Sequence, residues 1–220
     1  MNTIQTYRGE IIDFVDPDHE QINIDDISHS LSNKCRFNGH TTVFYSVATH
    51  SVHVAEMAWM IMERVEGMDS GLRHDIHKKA FMHDFSEAYI SDIHTPLKKM
   101  LPAYQHIEMK TTYSIDSAFS VRYHPMTETV VKAADKMLLL IENDHLLTHS
   151  LDPAFKETMI QYFNKLSLND SADIIIQNLR HKSYISNEIQ AMSYKDEPEL
   201  PKAAKERFMH YYNTKFKGKL

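Results

Sequence analysis

The constraint on this chain comes from one run, Lys78-Lys79-Ala80-Phe81-Met82-His83-Asp84-Phe85-Ser86-Glu87-Ala88-Tyr89. It has few β-branched residues and no Gly or Pro before Pro96, which predicts a helix from about His74 to Tyr89. Ala80, Phe81, Ala88 and Tyr89 surround a His, an Asp and a Glu. A solvated face does not need those apolar residues, and a buried face does not tolerate unpaired charges. A bound cation resolves the conflict. Neighbours on a helix differ by about 100°, so His83 and Asp84 can both lean toward a point between them. Glu87 follows one turn later as a third ionisable group. An adjacent His-Asp pair also arises by chance in a chain with 15 His and 30 acidic residues, so the rest of the sequence has to decide.

Length and composition narrow the class. The 220 residues suffice for one large domain or two small ones, and 42% hydrophobic residues supply a core. Only five Gly and seven Pro favour a mostly helical protein. A net charge of −6 argues against an extended nucleic-acid surface, but a few local cations would still hold a small anion. Cys35 is the single cysteine, so no internal disulfide forms, which fits a reducing cytoplasm. Met1 to Arg8 lacks the apolar core of a signal peptide, and no apolar run approaches the length of a membrane span. The expectation is a cytoplasmic protein without membrane or nucleic-acid partners.

Tyr7 to Phe14 and Gln21 to Ile24 predict two strands of a hairpin turning at Asp16-Pro17-Asp18. Asp25-Asp26 is placed to cap a short helix over Ile27 to Leu31, and Arg36 to His40 reads as a loop. Phe44 to Val65 carries apolar residues at helical spacing, with Gly67 placed to end the helix. His50 and His53 lie on it, three apart, and only one need face a metal. Ser91 to Lys98 breaks the helical pattern, since Pro96 pushes Thr95 toward extended geometry. Helices are predicted over Pro102 to Tyr123 and, capped by Thr127, through Ile141. Asp135 lies among the apolar residues of the latter. Lys136 is one partner for it, and a metal is another. Pro153 to Leu166, Ser171 to Leu179 and Pro201 to Phe216 read as scaffold helices, with Glu188 to Glu199 a loop.

His50, His83, Asp84 and Asp135 are two imidazoles and two carboxylates on three helices, a mixed N/O set suited to zinc, manganese, cobalt or iron. A water activated by such an ion is a nucleophile near neutral pH.

The order His50, then His83-Asp84, then Asp135 resembles the H…HD…D signature of the HD-domain metal-dependent phosphohydrolases. Phe44-Tyr45-Ser46-Val47-Ala48-Thr49-His50-Ser51-Val52 is similar to the first-ligand helix of their bacterial and phage nucleotidase branch. The stretch from His83 to Lys98 is similar to that branch's HDxxE…GDxxxPxK, with Ser91 where the Gly usually stands. The likeness covers roughly Tyr7 to Leu147. It implies an all-α HD-domain helical bundle with a small N-terminal β-hairpin, as one domain over 1–220. Within it, 1–40 would form the hairpin and substrate loop, 41–150 the metal-binding core and 151–220 the C-terminal helices. It implies one divalent ion (zinc, cobalt or manganese) on His50, His83, Asp84 and Asp135, with a second magnesium accompanying a triphosphate. Glu87 would be the general acid/base, and Asp92 would contact the sugar or assist the water. Arg36 and Lys98 would bind phosphate, Phe37 would pack on the sugar, and Pro96 would line the base pocket. From spacing alone, Arg36 and Lys98 read as solvated surface charges, and only their linkage to the metal motif singles them out. The implied reaction is hydrolysis of a 2′-deoxynucleotide, first dATP to deoxyadenosine and triphosphate. The alternatives are a 5′-deoxyribonucleotidase and a non-catalytic nucleotide-binding HD module. The resemblance also implies a homo-oligomer, a dimer or a hexamer, in the bacterial or host cytoplasm.

Overall fold

The computed structural model describes residues 2–149, 153–194 and 199–217. It is mostly helical with one small antiparallel hairpin. Strands β1 (Thr3–Gln5) and β2 (Ile11–Asp13) pair with Ile4 opposite Ile12. The hairpin therefore lies earlier than its predicted place. Gly9, at φ +95°, lets Thr6 to Glu10 turn, so Tyr7 to Phe14 is not one strand. Asp18 instead caps a short 3-10 turn, His19–Gln21. Gln21 to Ile24 is not a strand either, because Asn23 accepts from Asp25 N and starts helix α1, Ile24–Ser32.

Helix α2 (Val47–Met62) is the axis of the protein. Ser46 caps it by accepting from Thr49 N, and every residue from Val47 to Ala55 is buried. Such a helix is apolar on all sides except at special positions. Val54, Met57, Ala58 and Ile61 face one apolar cluster, and Val47, Ala48, Val52 and Ala55 face another. Helices α3 (Ser70–Phe81) and α7 (Thr127–Leu146) pack on α2 most extensively.

Helix α3 stops before the His-Asp pair. Met82 N closes the helix on the carbonyls of Lys78 and Lys79, and the chain then turns through 82–86. The four-residue helix α4 (Glu87–Ile90) follows. His83 and Asp84 thus sit on a turn and not on the continuous helix the pattern predicts. Phe81 and Phe85 flank this turn, are fully buried, and meet edge to face at 5.2 Å. Helix α4 ends at Ser91, and α5 (Thr95–Lys98) adds one turn before α6 (Pro102–Ala118).

The C-terminal part carries α8 (Pro153–Phe163), α9 (Ala172–Lys182), α10 (Tyr184–Ser193) and α11 (Pro201–Lys215). Ser183 caps α10 by accepting from Ser186 N, so the predicted loop at Glu188 is helical through Ser193. Of that loop, 195–198 lies outside the described residues. Phe208 of α11 rests against Phe81 at 4.6 Å and Phe85 at 5.4 Å between ring centroids. Among the described residues no helix is long and apolar enough to cross a membrane.

Candidate metal centre and cleft

Three elements deliver the predicted ligands to one point. Helix α2 presents His50, the turn after α3 presents His83 and Asp84, and the middle of α7 presents Asp135. Ligand atoms of His50, His83 and Asp135 all lie within 4.8 Å of one another. Asp84 Oδ2 is 3.0 Å from His83 Nε2 and 3.6 Å from His50 Nε2, and Asp135 Oδ1 is 3.5 Å from His50 Nε2.

The second nitrogen of each imidazole fixes its tautomer. His83 Nδ1 donates to the Ala80 carbonyl at 2.8 Å, and His50 Nδ1 donates to Glu142 Oε1 at 2.6 Å. Each Nε2 is then the nitrogen aimed inward, and both are buried without a hydrogen-bond partner. Buried polar atoms are rarely left so. Two orphaned imidazole nitrogens facing two carboxylates fit a single metal ion, which His50, His83 and Asp135 could bind.

Burial alone would raise the Asp84 carboxyl, but His83, His50 and Arg36 hold it well below the usual carboxylate range. Asp135, opposed in the same way by burial, is lowered to about 2, chiefly by His50. Burial and Arg36 act to lower His50, but Glu142 and Asp135 outweigh them and push it up to about 9. Glu87 is buried with Oε2 unpartnered. Burial, then Asp84 and Asp92, push its carboxyl well above the ordinary range.

The centre opens into a cleft of about 780 Å³, within the usual size of a small-molecule site. Arg36, Phe37, Asp84, Glu87, Asp92, Pro96, Lys98 and Asp135 line it. Phe37 reaches it from a left-handed backbone conformation, φ +55°, with the Arg36 guanidinium 5.4 Å from its ring centre. Lys98 Nζ donates to Glu108 Oε1 at 2.5 Å, so this ammonium already has one carboxylate partner. Asp135 does have Lys136 beside it, at 4.0 Å, as well as His50.

No family model matches the sequence. Over 148 residues, 66% of this chain and 73% of the relative, it is 36% identical to the uncharacterized protein YfdR of Escherichia coli strain K12. The chain belongs to the YfdR family. An uncharacterized protein of Rhodobacter capsulatus is 29% identical over 144 residues, 63% of this chain and 69% of its own length.

In this member of the YfdR family, several residues of the site escape a reading of the sequence. Glu142 is the main one: Arg36 Nε and Nη2 donate to its Oε2 at 3.2 and 3.1 Å while its other oxygen holds His50. Its signal was present, since it follows Asp135 by two helical turns on the same face of α7. Lys99, Lys136, Leu139 and Phe155 also line the cleft. Lys34, half-buried, donates to the Glu87 carbonyl. The second histidine of α2, His53, turns away from the centre: its Nδ1 is 2.8 Å from the Tyr45 hydroxyl.

Proposed function

We propose that this protein is an HD-domain phosphohydrolase of 2′-deoxynucleotides, with cleavage of dATP to deoxyadenosine and triphosphate as its favoured reaction. One observation carries the reading: the two buried Nε2 atoms of His50 and His83, unpartnered and facing Asp84 and Asp135 at the floor of a cleft.

His50, His83, Asp84 and Asp135 would hold zinc, cobalt or manganese. When bound, the ion supplies Lewis acidity toward a phosphoryl oxygen and the attacking water. The water oxygen bonds to the α-phosphorus and loses a proton to Asp92, while the bond from that phosphorus to the 5′ oxygen breaks. Glu87, whose carboxyl burial pushes up, gives its proton to the departing oxygen, so the nucleoside leaves as a neutral alcohol. Arg36, Lys98, Lys99 and Lys136 offset the phosphate charge, with a second magnesium accompanying a triphosphate. Phe37, Leu139 and Phe155 give the base and sugar an apolar wall.

Incubation with dATP and with dAMP, each with manganese, cobalt or zinc, followed by separation of the products, tests the reading. Released triphosphate supports it. Turnover confined to monophosphates replaces it with a 5′-deoxyribonucleotidase, and nucleotide binding without turnover replaces it with a non-catalytic module. Asp84→Ala should lose ion and turnover together, and full turnover in that variant overturns the catalytic assignment.

A further inference from the structure

A second cavity, of about 610 Å³, opens on a different part of α2 from His50. Glu56, Trp59 and Glu63 line it from α2, His77 from α3, Tyr184 from α10 and Tyr211 from α11. It shares no lining residue with the cleft. We propose that this cavity binds a small organic cation, an alkylammonium group, against the faces of Trp59, Tyr184 and Tyr211 with Glu56 as its counter-charge.

Two features carry the assignment. The first is charge. Glu56 lies beside the Tyr184 hydroxyl but forms no ion pair among the described residues. The two groups that draw its charge, His53 and Arg207, are already engaged: His53 with Tyr45 at 2.8 Å and Glu188 at 3.6 Å, Arg207 with Glu188 and with Glu199 at 3.3 Å. Burial pushes the Glu56 carboxyl up, as expected for a charge short of a partner. Two carboxylates, Glu56 and Glu63, stand against the exposed Lys215 on the same wall.

The second is a set of aromatic faces fixed before any ligand arrives. Trp59 is 38% exposed although large and apolar, and its Nε1 donates to Glu63 Oε1 at 3.1 Å. Its ring lies 5.1 Å from that of His77, whose Nε2 is 2.7 Å from the Tyr211 hydroxyl. Half-exposed Tyr184 completes the wall. Aromatic faces beside a carboxylate attract ammonium groups, and attract neutral molecules of equal size less.

Trp59 is the only tryptophan of the chain, so its emission reports on this cavity alone. The full chain would be titrated with putrescine, a primary diammonium, and with choline, a quaternary ammonium. Butanediol and dimethylbutanol serve as their uncharged counterparts, and calorimetry gives the stoichiometry. The expected result is a saturable emission change, one ligand per chain, for at least one cation and neither alcohol. The stronger cation then tells a primary from a quaternary ligand. Glu56→Gln should weaken binding by about tenfold or more. Tyr184→Phe, which removes the hydroxyl beside Glu56 but keeps the ring, should weaken it less, and both variants should keep the parent melting profile. No saturable response to either cation, an equal response to the matching alcohol, or unchanged affinity in a folded Glu56→Gln variant overturns the proposal. None of these outcomes bears on the metal centre, because the cavity shares no residue with it.

Discussion

Glu142 Oε1 lies 2.6 Å from His50 Nδ1, and both side chains are fully buried. The carboxylate holds the Nδ1 proton of His50 and leaves Nε2 as the nitrogen that faces the centre. Partners of this kind typically govern metal affinity by about 10- to 100-fold. Glu142→Gln should therefore weaken cobalt or zinc binding by that factor in calorimetric titration. It should also destabilise the metal-free chain by about 2–3 kcal/mol, because Arg36 loses the fully buried carboxylate it bonds through two nitrogens and keeps Asp84 at 3.6 Å. Unchanged ion affinity in the folded variant would reduce Glu142 to a packing residue.

Ser91 sits at φ +73° and ψ 160°, a region that favours glycine strongly. Its carbonyl accepts from the Tyr104 hydroxyl at 2.7 Å, a bond that glycine retains. Ser91→Gly should raise stability by about 1 kcal/mol after allowing for the greater chain entropy of glycine, a gain of about 2–4 °C in Tm. A lower Tm would mean that the seryl side chain contributes more than the backbone strain costs.

Lys136 lines the cleft, whereas the Lys98 ammonium is drawn toward Glu108. If the cleft takes a polyphosphate, Lys136→Ala should raise KM for a triphosphate by about tenfold and change kcat little, with a smaller effect from Lys98→Ala. Steady-state kinetics on both variants checks the order. Equal effects would mean that the Glu108 pairing does not withhold Lys98 from substrate.

Glu188 is held down to about 2 from its ordinary 4.5 by a hydrogen bond with His53 and by Arg207, against the opposing effect of burial. A carboxyl depressed on folding stabilises the protein above its unfolded pKa, and that contribution disappears as pH falls through the folded one. The side chain is 33% exposed, so screening reduces the contribution to about 1 kcal/mol. Unfolding free energies from urea titration of the parent and Glu188→Gln should differ by that much near neutral pH and converge between about pH 4.5 and about pH 2. A gap that persists at the acid end would assign the effect to packing.

The positions of His50, His83, Asp84 and Asp135 were legible because ionisable groups inside apolar runs need a partner. The local geometry at His83 was not. No Gly or Pro marks the end of α3, and the break is set by Phe81 and Phe85 docking on a helix from the far end of the chain. The hairpin was misplaced because Asp16-Pro17-Asp18 is the stronger turn signal, while the turn itself depends on Gly9. The Arg36–Glu142 pair spans 106 positions, and no local pattern announces it. Helix α10 was hidden in a polar stretch whose start is set by the Ser183 cap.

Phe208 supports the two rings that flank His83 and Asp84. A chain shortened ahead of Pro201 would keep His50, His83, Asp84 and Asp135, yet the turn bearing two of them would lose the ring against which Phe81 and Phe85 rest. The C-terminal helix that brings no candidate donor atom thus helps to hold the candidate donors in place.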